Sequence, residues 1–145
     1  MTTRIDVTGS LTVDAPPEQA FELFTPRGEQ AWVPGWAPTF PHETPDDAAA
    51  GTVFQTTSGG HVTTWIVVRS SRGRLIKYAR VVANRHAGTV EVRLEAKKKG
   101  SLVMVSYDLT ALTQSAADDL ETFALGFDAF LQAWEESIRL CLARD

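Results

Sequence analysis

The chain has 145 residues, 43% of them hydrophobic and 22% charged, with one cysteine and a formal net charge of −4. This length suits one domain, 1–145, burying roughly two-thirds of its unfolded surface without covalent staples. The acidic balance argues against a nucleic-acid binder, which needs a basic stripe to displace counterions from phosphate, and a lone cysteine excludes an internal disulfide framework.

Residues 4–13, RIDVTGSLTV, put Ile5, Val7, Gly9, Leu11 and Val13 on one face, which predicts a strand with one wet side. Prolines 16 and 17 suit a first helical turn; Ala20, Phe21, Leu23 and Phe24 supply a short apolar face that Pro26 ends. A second short helix is expected over 27–33. From 36 to 82 the signals are strands and turns. One strand starts near Phe40, followed by a loop at Pro45-Asp46-Asp47. Strands at 53–57 and 61–69 flank the tight turn Ser58-Gly59-Gly60, and another follows at 74–82.

Val90, Val92 and Leu94 then alternate with Glu91, Arg93 and Glu95. A one-residue slip would expose all three apolar side chains, so register is well specified. Lys97, Lys98 and Lys99, the only basic run, read as a solvated hairpin tip before Gly100. The last strand is 102–111. Ser115 with Asp118 resembles a capping box. The helix it opens runs about 29 residues to Ala143, roughly 43 Å. Its stripe is Leu120, Phe123, Phe127, Phe130, Leu131, Trp134, Ile138 and Cys141, at spacings of three and four. Strand, two short helices, about six antiparallel strands and one long helix make an α+β order, not βαβ.

Chemistry-bearing motifs are absent: no GxSxG, P-loop, GxGxxG or HExxH. His42, His61 and His86 have no ligand spacing and Cys141 reads as a buried small hydrophobe, so neither metal nor cofactor is expected. Met1 to Gly9 is short, mixed and polar, unlike a signal peptide, and no apolar run approaches the roughly 20 residues of a membrane span. The expectation is a cytoplasmic protein without membrane insertion, monomer or homodimer.

VDAPPEQAFELFT at 13–25, the pair Trp32 and Trp36, GTVF at 51–54, TTWIVV at 63–68, Tyr78-Ala79-Arg80 and YDLTALT at 107–113 extend over nearly the whole chain. Together with the element order they resemble the START-like superfamily (Bet v 1-like, SRPBCC), in particular its polyketide cyclase/dehydrase-like and uncharacterised bacterial branches. The resemblance implies a helix-grip fold, in which a curved antiparallel sheet wraps a long C-terminal helix around an apolar cavity. Members bind lipids, sterols, hormones or polyketides; some cyclise polyketide chains, and one branch stimulates a chaperone ATPase. No catalytic set is common to all of them, so no catalytic residue is assigned.

Phe123, Phe127, Phe130 and Trp134 line one side of the helix, with Gly126 permitting close approach; they suit core packing or a pocket wall. Trp32 and Trp36 are placed by the resemblance at the cavity entrance, and Phe54 and Trp65 come from central strands. Tyr78 and Arg80 share a face with Ile76 and Val82, where an unpaired arginine would be costly. Asp108, on a face with Met104 and Ser106, is its expected partner. Arg80 then either snorkels or makes a structural ion pair, or joins Tyr78 in holding a carboxylate, enol or carbonyl oxygen of a ligand. The expected partner is a small hydrophobic or amphipathic molecule, bound by a carrier or turned over by a cyclase/dehydratase-type enzyme. A protein-interaction module would need an exposed apolar or charged patch, and none is expected outside the interior.

Overall fold

The computed structural model describes residues 3–144. Met1 and Thr2 of the polar N-terminal stretch, and Asp145 at the end of the expected 1–145 domain, lie outside the described residues. Strands β1 (Arg4–Val13), β2 (Val53–Ser58), β3 (His61–Ser71), β4 (Leu75–Val82), β5 (His86–Lys97) and β6 (Gly100–Ala111) form one antiparallel sheet ordered β1-β6-β5-β4-β3-β2. After β1 the chain crosses to the far edge through α1 (Pro17–Glu22) and a 3₁₀ turn, Gly28–Ala31. The strand expected near Phe40 does not form; the segment makes one bridge, Thr39 to Gln55. Pro38 and Pro41 flank it and lack the N–H groups a longer ladder would need.

The two-residue turn between β2 and β3 holds Gly59 at φ 58° and Gly60 at φ 81°, the pair of positive angles a tight hairpin demands. A bulge between Val67 and Arg69 interrupts the β3–β4 register and adds local twist. The alternation of β5 survives intact: Val90, Val92 and Leu94 are buried. Inward-facing Val103, Val105, Tyr107 and Leu109 of β6 meet them across the ladder or beside it.

The long helix is two helices, α2 (Gln114–Leu125) and α3 (Phe127–Ala143), joined at Gly126. The Phe130 amide still donates to the Gly126 carbonyl at 3.0 Å, so this is a bend in one rod. Its N-cap is Thr113, whose hydroxyl accepts from the Ala116 amide at 3.3 Å, two residues before the expected Ser115. Close approach to the sheet occurs at Gly9 of β1, not at Gly126. A methyl at Gly9 would lie 2.7 Å from Leu131 Cδ1 and 3.3 Å from Phe127, whereas Gly126 is exposed. The helix therefore seats its Phe127–Leu131 turn in the notch left by a missing side chain.

The core so formed runs from Phe21 and Phe24 through Phe54, Val67 and Ile76 to Val103, Val105 and Ile138. Cys141 is a free thiol packed at its margin. Contrary to the sequence expectation, the outer face of β2–β4 also exposes apolar side chains: Val53, Val62, Ile66, Val68 and Val81. These strands are β-branched on both faces, so composition alone does not mark which side is wet.

Candidate functional site

Between the sheet's inner face and the helix lie two adjoining lobes. The larger, about 430 Å³, is walled by Trp36, Trp65, Phe130 and Trp134, with Glu29, Thr56 and Thr63 among its polar groups. The smaller, about 360 Å³, is lined by Leu109, Ala116, Leu120 and Phe123 together with His61, Arg85 and His86. Arg80 and Tyr107 line both and so form the partition. A more voluminous groove, about 640 Å³, lies along the outer side near Arg69, Arg74, Arg93 and Met104 and has no aromatic wall.

Ring-to-ring contacts knit the wall of the aromatic lobe together. Trp65 stacks on Phe54, with ring centroids 5.7 Å apart and planes 2° from parallel, and meets Trp36 edge-on at 5.7 Å. Trp134 meets Trp32 edge-on at 5.2 Å. Each indole N–H not facing solvent has a partner: Trp32 donates to the Leu23 carbonyl, Trp36 to the Pro26 carbonyl and Trp65 to the Thr56 hydroxyl. These bonds take the three indole donors out of reach of whatever enters.

Arg80 is different. Its guanidinium lies over the Trp65 ring, 4.6 Å from the centroid, and makes no ion pair or hydrogen bond with the other described residues. Burial lowers its pKa, opposed by the phenol of Tyr107 and the carboxyl of Glu29. Glu29 is pushed well above the ordinary carboxylate range by desolvation, with Arg80 pulling the other way. Burial likewise raises the Tyr107 phenol, which stays a neutral donor. His86 falls from 6.5 to about 4 through burial and the charges of Arg80 and Arg85, so its imidazole is neutral at pH 7. The cavity thus offers a cation, a protonatable carboxyl, a phenol and a neutral imidazole inside apolar walls, able to grip an acidic or carbonyl oxygen.

Of the residues expected to line a cavity, Trp36, Trp65, Arg80, Phe123, Phe130 and Trp134 do line these lobes. Trp32, Phe54 and Phe127 are core residues behind the walls, each less than a tenth exposed. Tyr78 is buried with its hydroxyl donating to the Phe24 carbonyl at 2.6 Å, which ties β4 to the end of the first helix and removes it from the ligand-facing set. Met104 and Asp108 face the other way. Met104 is 38% exposed on the outer side, and Asp108 there accepts two bonds from Arg4, at 2.8 and 2.6 Å. Asp108 is therefore not the partner of Arg80. The start of β6 is apolar on both faces, which left its phase open; Tyr107 and Leu109 opposite Ser106 and Asp108 carry the signal that resolves it. Tyr107 was legible in that way. Glu29 was not, because a four-residue 3₁₀ turn has no periodicity that aims a side chain.

Among the described residues no helix is long and apolar enough to cross a membrane, and no group of three His, Cys, Asp or Glu is gathered to hold a metal ion. The model of the family described as polyketide cyclase / dehydrase and lipid transport matches residues 4–137. The chain belongs to that family. The fold of this family member is the Bet v 1-like helix grip. Ginseng major latex-like protein 151 from Panax ginseng superposes with a TM-score of 0.68 at 16% identity, covering 94% of this chain and 95% of that one. CalU16 from Micromonospora echinospora gives 0.64 at 16%, covering 99% and 87%. A protein from Rhodobacter sphaeroides gives 0.70 at 18%, covering 99% and 94%. No curated protein matches the sequence itself. At these identities the likeness establishes the fold.

Proposed function

We propose that this protein binds and carries a small hydrophobic or amphipathic molecule in the two-lobed cavity, with Arg80 as the polar anchor. The observation that carries this reading is the contrast within one cavity: Trp36 and Trp65 have their N–H groups satisfied by protein, whereas Arg80 has none of its donors so paired. A guanidinium left this way in apolar surroundings is costly to the fold, and an incoming acidic or carbonyl oxygen relieves that cost. Native mass spectrometry of the purified protein, followed by denaturing extraction, is the direct test. A retained lipid-, polyketide- or aromatic-like molecule supports the reading. An empty protein that also rejects a panel of apolar probes refutes it.

One observation favours a second reading, a cyclase/dehydratase-type enzyme using the same cavity. Glu29, its carboxyl raised by desolvation, lines the same lobe as Arg80 and Tyr107, an arrangement that suits a general acid beside an oxyanion-stabilising cation. Turnover of an aromatic or polyketide-like compound that Glu29→Gln abolishes, with binding retained, would decide for the enzyme.

A further inference from the structure

Among the described residues, two buried side-chain nitrogens have no hydrogen-bond partner, Nε of Arg80 and Nε2 of His86. Both residues line the smaller lobe. The β4–β5 ladder explains why they converge. Arg80 pairs with Gly88 and Val82 with His86, so Arg80 and His86 are diagonal neighbours on the inner face, with backbones about 7 Å apart. Gly88 lies directly opposite Arg80, and a methyl there would lie 1.9 Å from the Asp108 carbonyl oxygen, so the glycine lets β5 and β6 approach closely beside this pair.

The remaining wall sets the polarity. Leu109, Ala116, Leu120 and Phe123 are apolar, and Arg85 is ion-paired with Asp119. Asp119 is thereby committed, and the unpaired charge of the lobe is Arg80. Buried polar atoms in native proteins nearly always have partners, so two orphans in one small lobe point to one external group that serves both. A cation and a neutral imidazole at this spacing suit an oxygen that accepts from each.

We propose that the smaller lobe is a subsite for a carboxylate or comparable anionic oxygen group, held between Arg80 Nε and His86 Nε2, with the ligand's aromatic body passing the Arg80–Tyr107 partition into the aromatic lobe. This rests on the cavity-binding reading and names the ligand's class, an elongated aromatic acid rather than a neutral lipid. His61 and Arg85 border the same lobe and add to its attraction for an anion. The neutral state of His86 fits a hydrogen-bonding role there, with Nε2 protonated and Arg80 supplying the charge.

The test pairs biphenyl-4-carboxylate with its neutral amide, by calorimetry at pH 7 on the full chain. The acid is expected to bind at least about tenfold more tightly than the amide, the size of a charge-assisted contact. His86→Phe should erode that preference several-fold, the acid losing more affinity than the amide. On the unsubstituted protein labelled with ¹⁵N-histidine, the Nε2 resonance of His86 should move with the acid and stay with the amide, a readout that does not depend on a variant folding. Equal affinity for acid and amide overturns the subsite and leaves the cavity reading standing. So does tight binding of the acid with the His86 resonance unmoved. Binding of neither probe overturns the subsite, and the cavity reading is then decided by the extraction and the panel of apolar probes.

Discussion

The hydroxyl of Tyr78 donates to the backbone carbonyl of Phe24 across 2.6 Å of buried space, joining the fourth strand to the end of the first helix. Two residues further along the same face, Arg80 has no comparable partner. Neighbours that look equivalent in sequence therefore divide the labour, one holding the scaffold and one facing the cavity.

Removing the Tyr78 hydroxyl tests that division. Tyr78→Phe leaves the Phe24 carbonyl buried without its donor, and should lower unfolding free energy by about 1–3 kcal/mol in urea titrations. Affinity for an aromatic acid probe should not change. A variant of undiminished stability with weakened binding would return Tyr78 to the ligand's side.

Arg80→Met should behave in the opposite way. It exchanges a desolvated cation for an apolar chain of similar length, and such exchanges are neutral or stabilising by up to about 4 kcal/mol. Thermal unfolding is expected at or above the wild-type temperature, with preference for acidic over neutral probes lost. A marked drop in stability would mean that the contact with Trp65 is structural.

Two of the shifted groups that border the cavity, His86 and Glu29, give opposite pH effects. His86 titrates near 4 in the folded protein and near 6.5 unfolded. The unfolded chain therefore takes up the proton first, and this contribution is full above pH 6.5 and lost as pH falls toward 4. Glu29 is raised above its ordinary 4.5, so the folded state keeps a proton that the unfolded chain releases. Its effect is loss of stability as pH rises from 4.5 through the folded value. Urea unfolding across pH 4.5–8 should show His86→Phe losing less stability than wild type between pH 7 and 5. Glu29→Gln should gain at pH 7, with the gain shrinking toward 4.5. Curves parallel to wild type would refute both assignments.

Cap position is a separate matter. Thr113→Ala should destabilise by about 0.5–2 kcal/mol, because the Ala116 amide loses its acceptor, while Ser115→Ala should be nearly silent. The reverse ranking would restore the capping box read from Ser115 and Asp118.

Periodicity made much of the architecture legible. The alternations in 4–13 and 90–95 fixed which side chains turn inward, and prolines 16 and 17 marked the start of the first helix, which ends at Glu22, short of the expected stop at Pro26. Half of the expected cavity wall also lines it, because a helical stripe such as Phe123, Phe130 and Trp134 can face only one way once packed. Errors fell where a local pattern is degenerate. The first residues of 102–111 are apolar on both faces, so the local pattern does not show that Met104 and Asp108 face outward. Thr113 and Ser115 are both competent caps two residues apart.

What the sequence by itself determined is therefore the element order, the α+β class and the buried face of most elements, since these follow from spacings within a single stretch of chain. Which polar groups share the cavity was decided only by the tertiary structure. Arg80, Glu29, Tyr107 and His86 come from three strands and a 3₁₀ turn, separated by long stretches of chain. Their convergence depends on strand order, on the close approach of β5 and β6 at Gly88 and on the turn after the first helix, and no one-dimensional period encodes how those three meet.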